Sequence, residues 1–163
     1  MEKKVVDALK WMVEILGKKN IEYQIAGGFA AKVFGSSRPL NDIDFDISEN
    51  FFPKILSDVS QYITYGPARL NDGKWDCELI TLNYHGQEID ISGVDSMKLS
   101  NKERNKWIPY KENFFKNVEL DVDGMKLRVI HPRELVAYKQ ELDGEQQLTD
   151  IRATEQYLAR NRL

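Results

Sequence analysis

The sequence predicts an α+β fold in which a mixed β-sheet is flanked by helices. Three observations support this fold class. Apolar residues recur at helical spacing near both ends of the chain, the segment DIDFDI alternates with period two, and turn dipeptides join further strand candidates in the middle. Helices that lie outside a strand-rich centre are typical of one sheet with helices packed on it.

Local patterns place the elements of the first half of the chain. The apolar positions Val5, Leu9, Met12 and Leu16 repeat every three to four residues, which predicts an amphipathic helix. Later, Asn50 and Pro53 are typical of the start of another helix. In chain order we predict a helix at 2–19, a strand at 21–26, a short helix at 29–34, a strand at 42–47 and a helix at 50–63.

Turn chemistry organises the second half. His85-Gly86 and Asp123-Gly124 are dipeptides that favour tight hairpin turns, so each predicts two antiparallel strands around it. Gly144 interrupts the helical pattern near the end of the chain. We therefore predict hairpins of 75–82 with 87–92 and of 118–122 with 125–130, a helix from 132 onward and a last helix at 147–160.

Length and composition limit the class of protein. The 163 residues, of which 42% are hydrophobic and 30% charged, predict a single domain over 1–163, with its core at about 20–130 and a helical tail at about 131–163. The net charge of −3 argues against a uniformly basic nucleic-acid-binding protein. No apolar run reaches the length of a membrane helix, and one cysteine cannot form an intrachain disulfide. We expect a soluble, cytoplasmic protein without a membrane partner.

Carboxylates on one strand are the most informative feature. Residues two apart on a strand project to the same face, so Asp42, Asp44 and Asp46 share the face opposite the apolar residues of DIDFDI. In EIDIS, the same alternation presents Asp90 together with Glu88. Aspartates are disfavoured in strands and like charges repel, so this arrangement calls for a cation.

A metal site follows if these two strands are neighbours. Strands in a sheet lie about 4.8 Å apart, which would bring Asp90 within reach of an ion held by Asp42 and Asp44. Carboxylate oxygens of this kind suit Mg²⁺ or Mn²⁺. The alternative is an amphipathic strand whose aspartates face water, and it remains the simpler interpretation of Asp46 and Glu88.

Glycines and an arginine lie beside this strand in the sequence. Gly27 and Gly28 stand where a strand passes into a helix, where free N–H groups and the absence of a side chain favour phosphate binding. Arg38 is close enough in sequence to Asp42 to reach the same phosphate. The alternatives are a plain tight turn and a surface arginine.

The combination resembles the nucleotidyltransferase superfamily, whose fold is shared with DNA polymerase β, and in particular its small bacterial and archaeal single-domain members. The matching parts are Ala26-Gly27-Gly28, Asp42-Ile43-Asp44 and the later Asp90. The segment from Arg38 to Asp44 is similar to an Arg-x-Thr-x-Asp-x-Asp form, with Leu40 in place of the threonine. The tail is similar to the helical end of these members, where Lys139 and Asp150 fit a lysine and a later aspartate.

The resemblance implies transfer of a nucleoside monophosphate from a nucleoside triphosphate, such as ATP, to an acceptor hydroxyl. It implies that Asp42, Asp44 and Asp90 are catalytic and hold Mg²⁺ or Mn²⁺. It also implies that Gly27, Gly28, Arg38 and Lys139 bind the nucleotide. The acceptors implied by the family include tRNA, small molecules such as antibiotics, and proteins.

Other functions remain open at this point. The segment 97–117 mixes six basic residues with Trp107, Tyr110, Phe114 and Phe115, which suits nucleic-acid binding, although the aromatic residues can equally belong to the core. One alternative is a non-catalytic RNA- or partner-binding module such as an antitoxin, with a toxin–antitoxin partner protein. Another is a metal-dependent phosphohydrolase that uses the same carboxylates.

Overall fold

The computed structural model describes residues 1–110 and 116–163, and their secondary structure is α+β, as the sequence predicts. The first half contains α1 (Lys3–Lys18), β1 (Gln24–Ala26), α2 (Gly27–Val33), β2 (Asp42–Ile47), α3 (Phe52–Val59) and β3 (Ile63–Asn71). The second half contains β4 (Trp75–Tyr84), β5 (Gln87–Ser100), β6 (Trp107–Pro109), β7 (Val118–Val122), β8 (Met125–Val129), α4 (Pro132–Lys139) and α5 (Glu145–Asn161).

Within these residues the strands form one mixed sheet. Seven of them follow the order β3-β4-β5-β2-β1-β8-β7, and β6 pairs with the far half of β5. The pairs β2–β5 and β1–β8 are parallel, whereas β1–β2, β3–β4, β4–β5 and β7–β8 are antiparallel. The sheet therefore places residues that are far apart in the chain side by side at its centre.

The hydrophobic core lies on the face of the sheet that carries the apolar half of each alternating strand. Ile43, Phe45, Ile89 and Ile91 are all completely buried. Helix α1 contributes its apolar stripe, and it packs against β5 and α3. Burial of each large apolar side chain stabilises the fold by roughly 1.5–3 kcal/mol. The apolar residues therefore determine which side of each central strand faces the core.

The opposite face carries the aspartates. Helices α2, α4 and α5 pack on one another, and residues of α2 and α4 line one cavity with these aspartates. His131 caps α4, and its Nδ1 accepts a hydrogen bond from the Arg133 N–H at 3.2 Å. This cavity lies between α2 and α4 on one side and the strands on the other.

The predicted helix at 50–63 is confirmed, as an α-helix at Phe52–Val59 with 3₁₀ turns at Glu49–Phe51 and Ser60–Tyr62. Three strand predictions differ from the structure. Strand β3, which begins at Ile63, was missed. Strand β5 runs on to Ser100 instead of ending at residue 92, and β6 was also missed. The edge strand β3 carries Gly66 and Pro67 and is only half-buried, so its sequence lacks the clear alternation of a central strand.

Among the residues described, no helix combines the length and the apolar composition that crossing a membrane requires.

Candidate active site

The acidic cluster results from the pairing register of β2 and β5. In this parallel pair Asp44 lies opposite Asp90, Asp42 opposite Glu88 and Asp46 opposite Ser92. One carboxylate oxygen each from Asp42, Asp44 and Asp90 lies within 4.8 Å of the other two. The structure therefore brings the three predicted metal ligands together, while Glu88 lies outside this group.

Burial and mutual repulsion disfavour the charged forms of these carboxyl groups. Burial, followed by the charges of Asp42 and Asp90, raises the pKa of Asp44 well above its ordinary value. Burial also raises the pKa of Asp90 to about 6, although Thr81 donates a hydrogen bond to its Oδ1 at 2.6 Å. A divalent cation would stabilise all three charged forms, and hard oxygen ligands at this spacing fit Mg²⁺ or Mn²⁺.

The two predicted glycines stand at the end of β1, next to the cluster. Ala26 pairs with Asp44, and Gly27 follows with a left-handed φ of 62°. A Cβ atom on Gly27 would lie 1.8 Å from Asp44 Oδ2, so no larger residue fits there. The Gly27 N–H donates to the Tyr138 hydroxyl at 2.7 Å, so this donor is already engaged in the protein.

Basic residues lie on the other side of the glycines and are held by one carboxylate. Asp150 is fully buried and accepts hydrogen bonds from Arg38 at 2.8 and 3.2 Å. The Lys139 ammonium lies 3.0 Å from the same carboxylate and is only 3% exposed. The Ser36 hydroxyl also donates to Asp150, at 2.6 Å. This cluster links α4 and α5 to the loop before β2.

Hydrogen bonding from these groups sets the charge of the cluster. Burial on its own would raise the pKa of Asp150, but hydrogen bonds, with that from Arg38 the largest, lower it below its ordinary value. Asp150 in turn raises the pKa of Arg38. The carboxylate and the guanidinium are therefore both charged at neutral pH.

A cavity of ≈ 340 Å³ opens between these groups. All seven predicted site residues line it: Gly27, Gly28, Arg38, Asp42, Asp44, Asp90 and Lys139. The acidic cluster and the two basic side chains thus face one space, and this is a suitable arrangement for a ligand that carries both phosphates and a metal ion.

Sequence reasoning missed several side chains that support this site. Asp46 is 4% exposed, and its Oδ2 accepts hydrogen bonds from Gln24 and from the Tyr110 hydroxyl, both at 3.0 Å. The interpretation of Asp46 as a solvated edge charge was therefore wrong. The DIDFDI alternation did place Asp46 on the correct face, but no local pattern predicts its partners or Tyr138.

Part of the basic and aromatic segment 97–117 lies within the described residues. Phe114 and Phe115 lie outside the described residues. In the part that is described, Trp107 is 40% exposed, while Tyr110 lines the cavity and packs edge-on against Trp75 with ring centroids 5.9 Å apart. This segment therefore contributes at least one wall residue to the site.

Comparison of the sequence with protein-family models and with curated proteins finds no match. Solved structures do match. TM1012 from Thermotoga maritima, assigned as a nucleotidyltransferase, has a TM-score of 0.71 at 16% identity, with 99% of this chain and 94% of that chain covered. The lincosamide antibiotic adenylyltransferase LnuA, bound to lincomycin, has a TM-score of 0.63 at 15% identity and coverages of 96% and 98%.

A third similar structure is ANT(2'')-Ia in complex with adenylyl-2''-tobramycin, with a TM-score of 0.64 at 12% identity. It covers 96% of this chain and 91% of its own. These likenesses extend over nearly the whole chain. They show that it has the nucleotidyltransferase fold, which confirms the fold that the resemblance implied.

Proposed function

We propose that this protein is a metal-dependent nucleotidyltransferase that moves a nucleoside monophosphate from a nucleoside triphosphate to an acceptor hydroxyl. The observation that carries the proposal is the convergence of Asp42, Asp44 and Asp90 within 4.8 Å on the wall of a cavity that Arg38 and Lys139 also line. The fold supports it, since proteins named as nucleotidyltransferases share this architecture.

In this proposal Asp42, Asp44 and Asp90 hold Mg²⁺ or Mn²⁺. When bound, such ions withdraw charge from the phosphate oxygens and make the acceptor hydroxyl more acidic. The acceptor oxygen forms a bond to the α-phosphorus, the bond from that phosphorus to the bridging oxygen breaks, and pyrophosphate leaves. Arg38 and Lys139 neutralise charge on the triphosphate oxygens.

The remaining predicted residues position the reactants. Gly27 and Gly28 present no side chain, so the triphosphate can approach the backbone beside Asp44. Asp90 receives the proton of the acceptor hydroxyl on Oδ2, because Oδ1 already accepts the hydrogen bond from Thr81.

A small molecule is the acceptor class that the comparisons support. The related structures include enzymes bound to lincomycin and to adenylyl-2''-tobramycin, and a cavity of ≈ 340 Å³ falls within the range of small-molecule sites. A tRNA acceptor remains the alternative. The comparisons give no support for a toxin–antitoxin partner, and the cytoplasmic location and single-domain organisation stay predictions.

The test is transfer of label from nucleoside triphosphates to defined acceptors. The protein is incubated with Mg²⁺ and each α-labelled triphosphate, using lincomycin, tobramycin or bulk tRNA as acceptor. We expect label on a small molecule and at least about a 100-fold loss in Asp44→Ala and in Asp90→Ala. Asp121→Ala, on the hairpin β7–β8 away from the cavity, is the matched control.

Two outcomes would contradict the proposal. Full transfer by either cluster variant would remove the carboxylates from the mechanism. Release of phosphate from a γ-labelled triphosphate, with no acceptor labelled, would favour the phosphohydrolase alternative.

A further inference from the structure

The acidic cluster and the end of β1 form one row across three neighbouring strands. Asp90 on β5 stands opposite Asp44 on β2, and Asp44 stands opposite Ala26 on β1. Neighbouring strands lie about 4.8 Å apart, so the row places Gly27, which follows Ala26, about two strand spacings from Asp90. The row therefore has an Asp90 end and a glycine end.

The cations of the cavity stand at the glycine end of this row. A Cβ atom on Gly28 would lie 3.0 Å from Arg38 Nη2, and Lys139 shares the Asp150 carboxylate with Arg38. In the proposed reaction the acceptor hydroxyl meets the α-phosphorus near Asp90. The other two phosphates, which leave as pyrophosphate, carry most of the negative charge and therefore extend from Asp90 toward these cations.

The Gly27 amide is already engaged at this end of the cavity. Its N–H donates to the Tyr138 hydroxyl at 2.7 Å. The Tyr138 ring packs edge-on against Trp75 and against Tyr110, with ring centroids 5.8 Å apart in both pairs. Because such contacts hold the ring in place, a phosphate that approaches Gly27 meets the tyrosine hydroxyl before the amide.

The Tyr138 hydroxyl keeps a donor of its own, since a phenol can accept and donate hydrogen bonds at once. Among the residues that the structure describes, its one hydrogen bond is that with Gly27, in which it accepts. Burial, followed by the charge of Asp44, raises the pKa of Tyr138 well above its ordinary value, so the hydroxyl keeps its proton at neutral pH. Because Tyr138 lines the cavity, this proton is available to a ligand there.

We propose that the Tyr138 hydroxyl binds the pyrophosphate part of the triphosphate, so that the Gly27 N–H acts on the phosphate through the tyrosine and not directly. The inference rests on the proposed function and adds a phosphate-binding residue to the same site. One hydrogen bond runs from the Gly27 N–H to the tyrosine oxygen, and the next from the tyrosine O–H to a phosphate oxygen. Each bond in such a chain polarises and strengthens the other.

The test measures dissociation constants at neutral pH with Mg²⁺, for a non-hydrolysable ATP analogue by isothermal titration calorimetry and for AMP by ligand-observed NMR. We expect Tyr138→Phe to weaken binding of the analogue by at least about tenfold, because it removes a hydrogen bond to a charged oxygen. AMP lacks the pyrophosphate part, so its dissociation constant should change by less than about twofold.

Mn²⁺ binding separates phosphate binding from a structural role. Measured without nucleotide by electron paramagnetic resonance, it should be unchanged in Tyr138→Phe, because the three carboxylates of the cluster remain. A displaced Gly27 would instead disturb Asp44, which it closely approaches, and would weaken Mn²⁺ binding. Tyr65→Phe is the matched control, since it removes a hydroxyl that bonds to the Arg69 carbonyl on the edge strand β3.

A second measurement uses the unmodified protein and covers the case in which Tyr138→Phe does not fold, which circular dichroism would show. When the analogue is bound, NMR of isotope-labelled protein should show no coupling across a hydrogen bond between the Gly27 amide nitrogen and phosphorus, because the amide stays on the tyrosine oxygen. Such a coupling would overturn the inference.

The inference is also overturned if Tyr138→Phe binds the analogue as tightly as the unmodified protein or more tightly, because the freed Gly27 amide would then hold the phosphate itself. An equal loss for AMP, or a parallel loss of Mn²⁺ binding, overturns it as well. Absence of nucleotide binding by the unmodified protein would contradict the proposed function too, whereas equal binding by the two proteins contradicts the role of Tyr138 alone.

Discussion

Asp150 shows how one residue can hold the basic side of the cavity together. It is fully buried and binds Ser36 and Arg38 of the loop before β2 and Lys139 of α4. Removal of one member of a buried ion pair leaves its partner as an uncompensated buried charge, which typically lowers the free energy of unfolding by several kcal/mol. The two cations that line the cavity, Arg38 and Lys139, therefore depend on a helix that contributes little else to it.

We predict that Asp150→Asn lowers the free energy of unfolding by about 3 kcal/mol at pH 7. Because the pKa of Asp150 is lowered in the folded protein, its stabilisation is present above the unfolded value of 3.8 and is lost as the pH falls through the folded value. Urea unfolding at pH 7 and near pH 3 checks this. The difference in the free energy of unfolding between the variant and the unmodified protein should be smaller at the lower pH.

Asp143→Asn is the control for this prediction. Asp143 forms an ion pair with Arg104 at 2.9 Å, but both side chains are more than half exposed. Exposed pairs contribute little, so this variant should unfold like the unmodified protein at both pH values. An equal loss in the two variants would show that burial of Asp150 is not the cause.

Cys77 gives a second prediction at the scale of a residue. It is 3% exposed, and burial raises the pKa of its thiol to about 12. Since the thiolate is the reactive form, we expect Ellman's reagent at pH 8 to react at least about 1000-fold more slowly than with free cysteine. Rapid reaction in the folded state would contradict its placement, and unfolding in urea should restore the normal rate.

At the scale of elements, the parallel pairing of β2 with β5 turns two separate acidic patterns into one cluster. The alternation of DIDFDI and EIDIS predicted which side chains share a face, since it depends only on the period of a strand. It did not predict that Asp44 stands opposite Asp90, because register is set by contacts between strands that are distant in sequence.

The contrast between local patterns and contacts distant in sequence also explains which other parts of the fold and site were predictable. Hairpins with His85-Gly86 and Asp123-Gly124 follow from local turn chemistry, and both are present. The pairing of Arg38 with Asp150 spans 112 residues, and no local pattern indicates it. The resemblance to a known family suggested Asp150 as a matching aspartate, but not its partners.

The junction of β1 and α2 gives a prediction for an element. We expect Gly27→Ala to weaken Mn²⁺ binding, measured by electron paramagnetic resonance, by at least about tenfold, because the new methyl group would overlap the Asp44 carboxylate. Gly124→Ala is a matched control: its φ of 77° is also left-handed, but open space surrounds it. It should cost about 1 kcal/mol in stability and leave Mn²⁺ binding unchanged.

If Gly27→Ala and Gly124→Ala both bind Mn²⁺ as tightly as the unmodified protein does, the close approach of Gly27 to Asp44 is contradicted. If Gly27→Ala fails to fold, circular dichroism will show it, and Gly27→Asn provides the second variant. Asparagine tolerates a left-handed φ better than alanine, so this variant should fold. It carries the same Cβ atom, so it should weaken Mn²⁺ binding to the same extent.

At the scale of the whole molecule, the site depends on elements from every part of the chain. Strands β1, β2, β4 and β5 carry one side of the cavity, and α4 brings Lys139 to the other. A ligand that bridges these walls binds only the folded protein. Binding should therefore be visible as a gain in global stability.

We predict that Mg²⁺ with a non-hydrolysable ATP analogue at about 100 times its dissociation constant raises the free energy of unfolding by about 2.7 kcal/mol. Thermal unfolding should show a smaller effect of either component alone, because the acidic cluster repels the triphosphate without the metal. Asp44→Asn should remove the gain, and an equal gain without Mg²⁺ would argue against a metal-bridged nucleotide.

The register of β2 against β5 also has a consequence for quality control in the cell. A slip of one residue in the pairing of β5 would point Asp90 into the hydrophobic core and expose Ile89 and Ile91 to water. The misaligned molecule would lack the cluster of Asp42, Asp44 and Asp90 and would also expose apolar side chains that chaperones and proteases recognise. The same error in register therefore destroys the cluster and exposes the misfolded molecule to degradation.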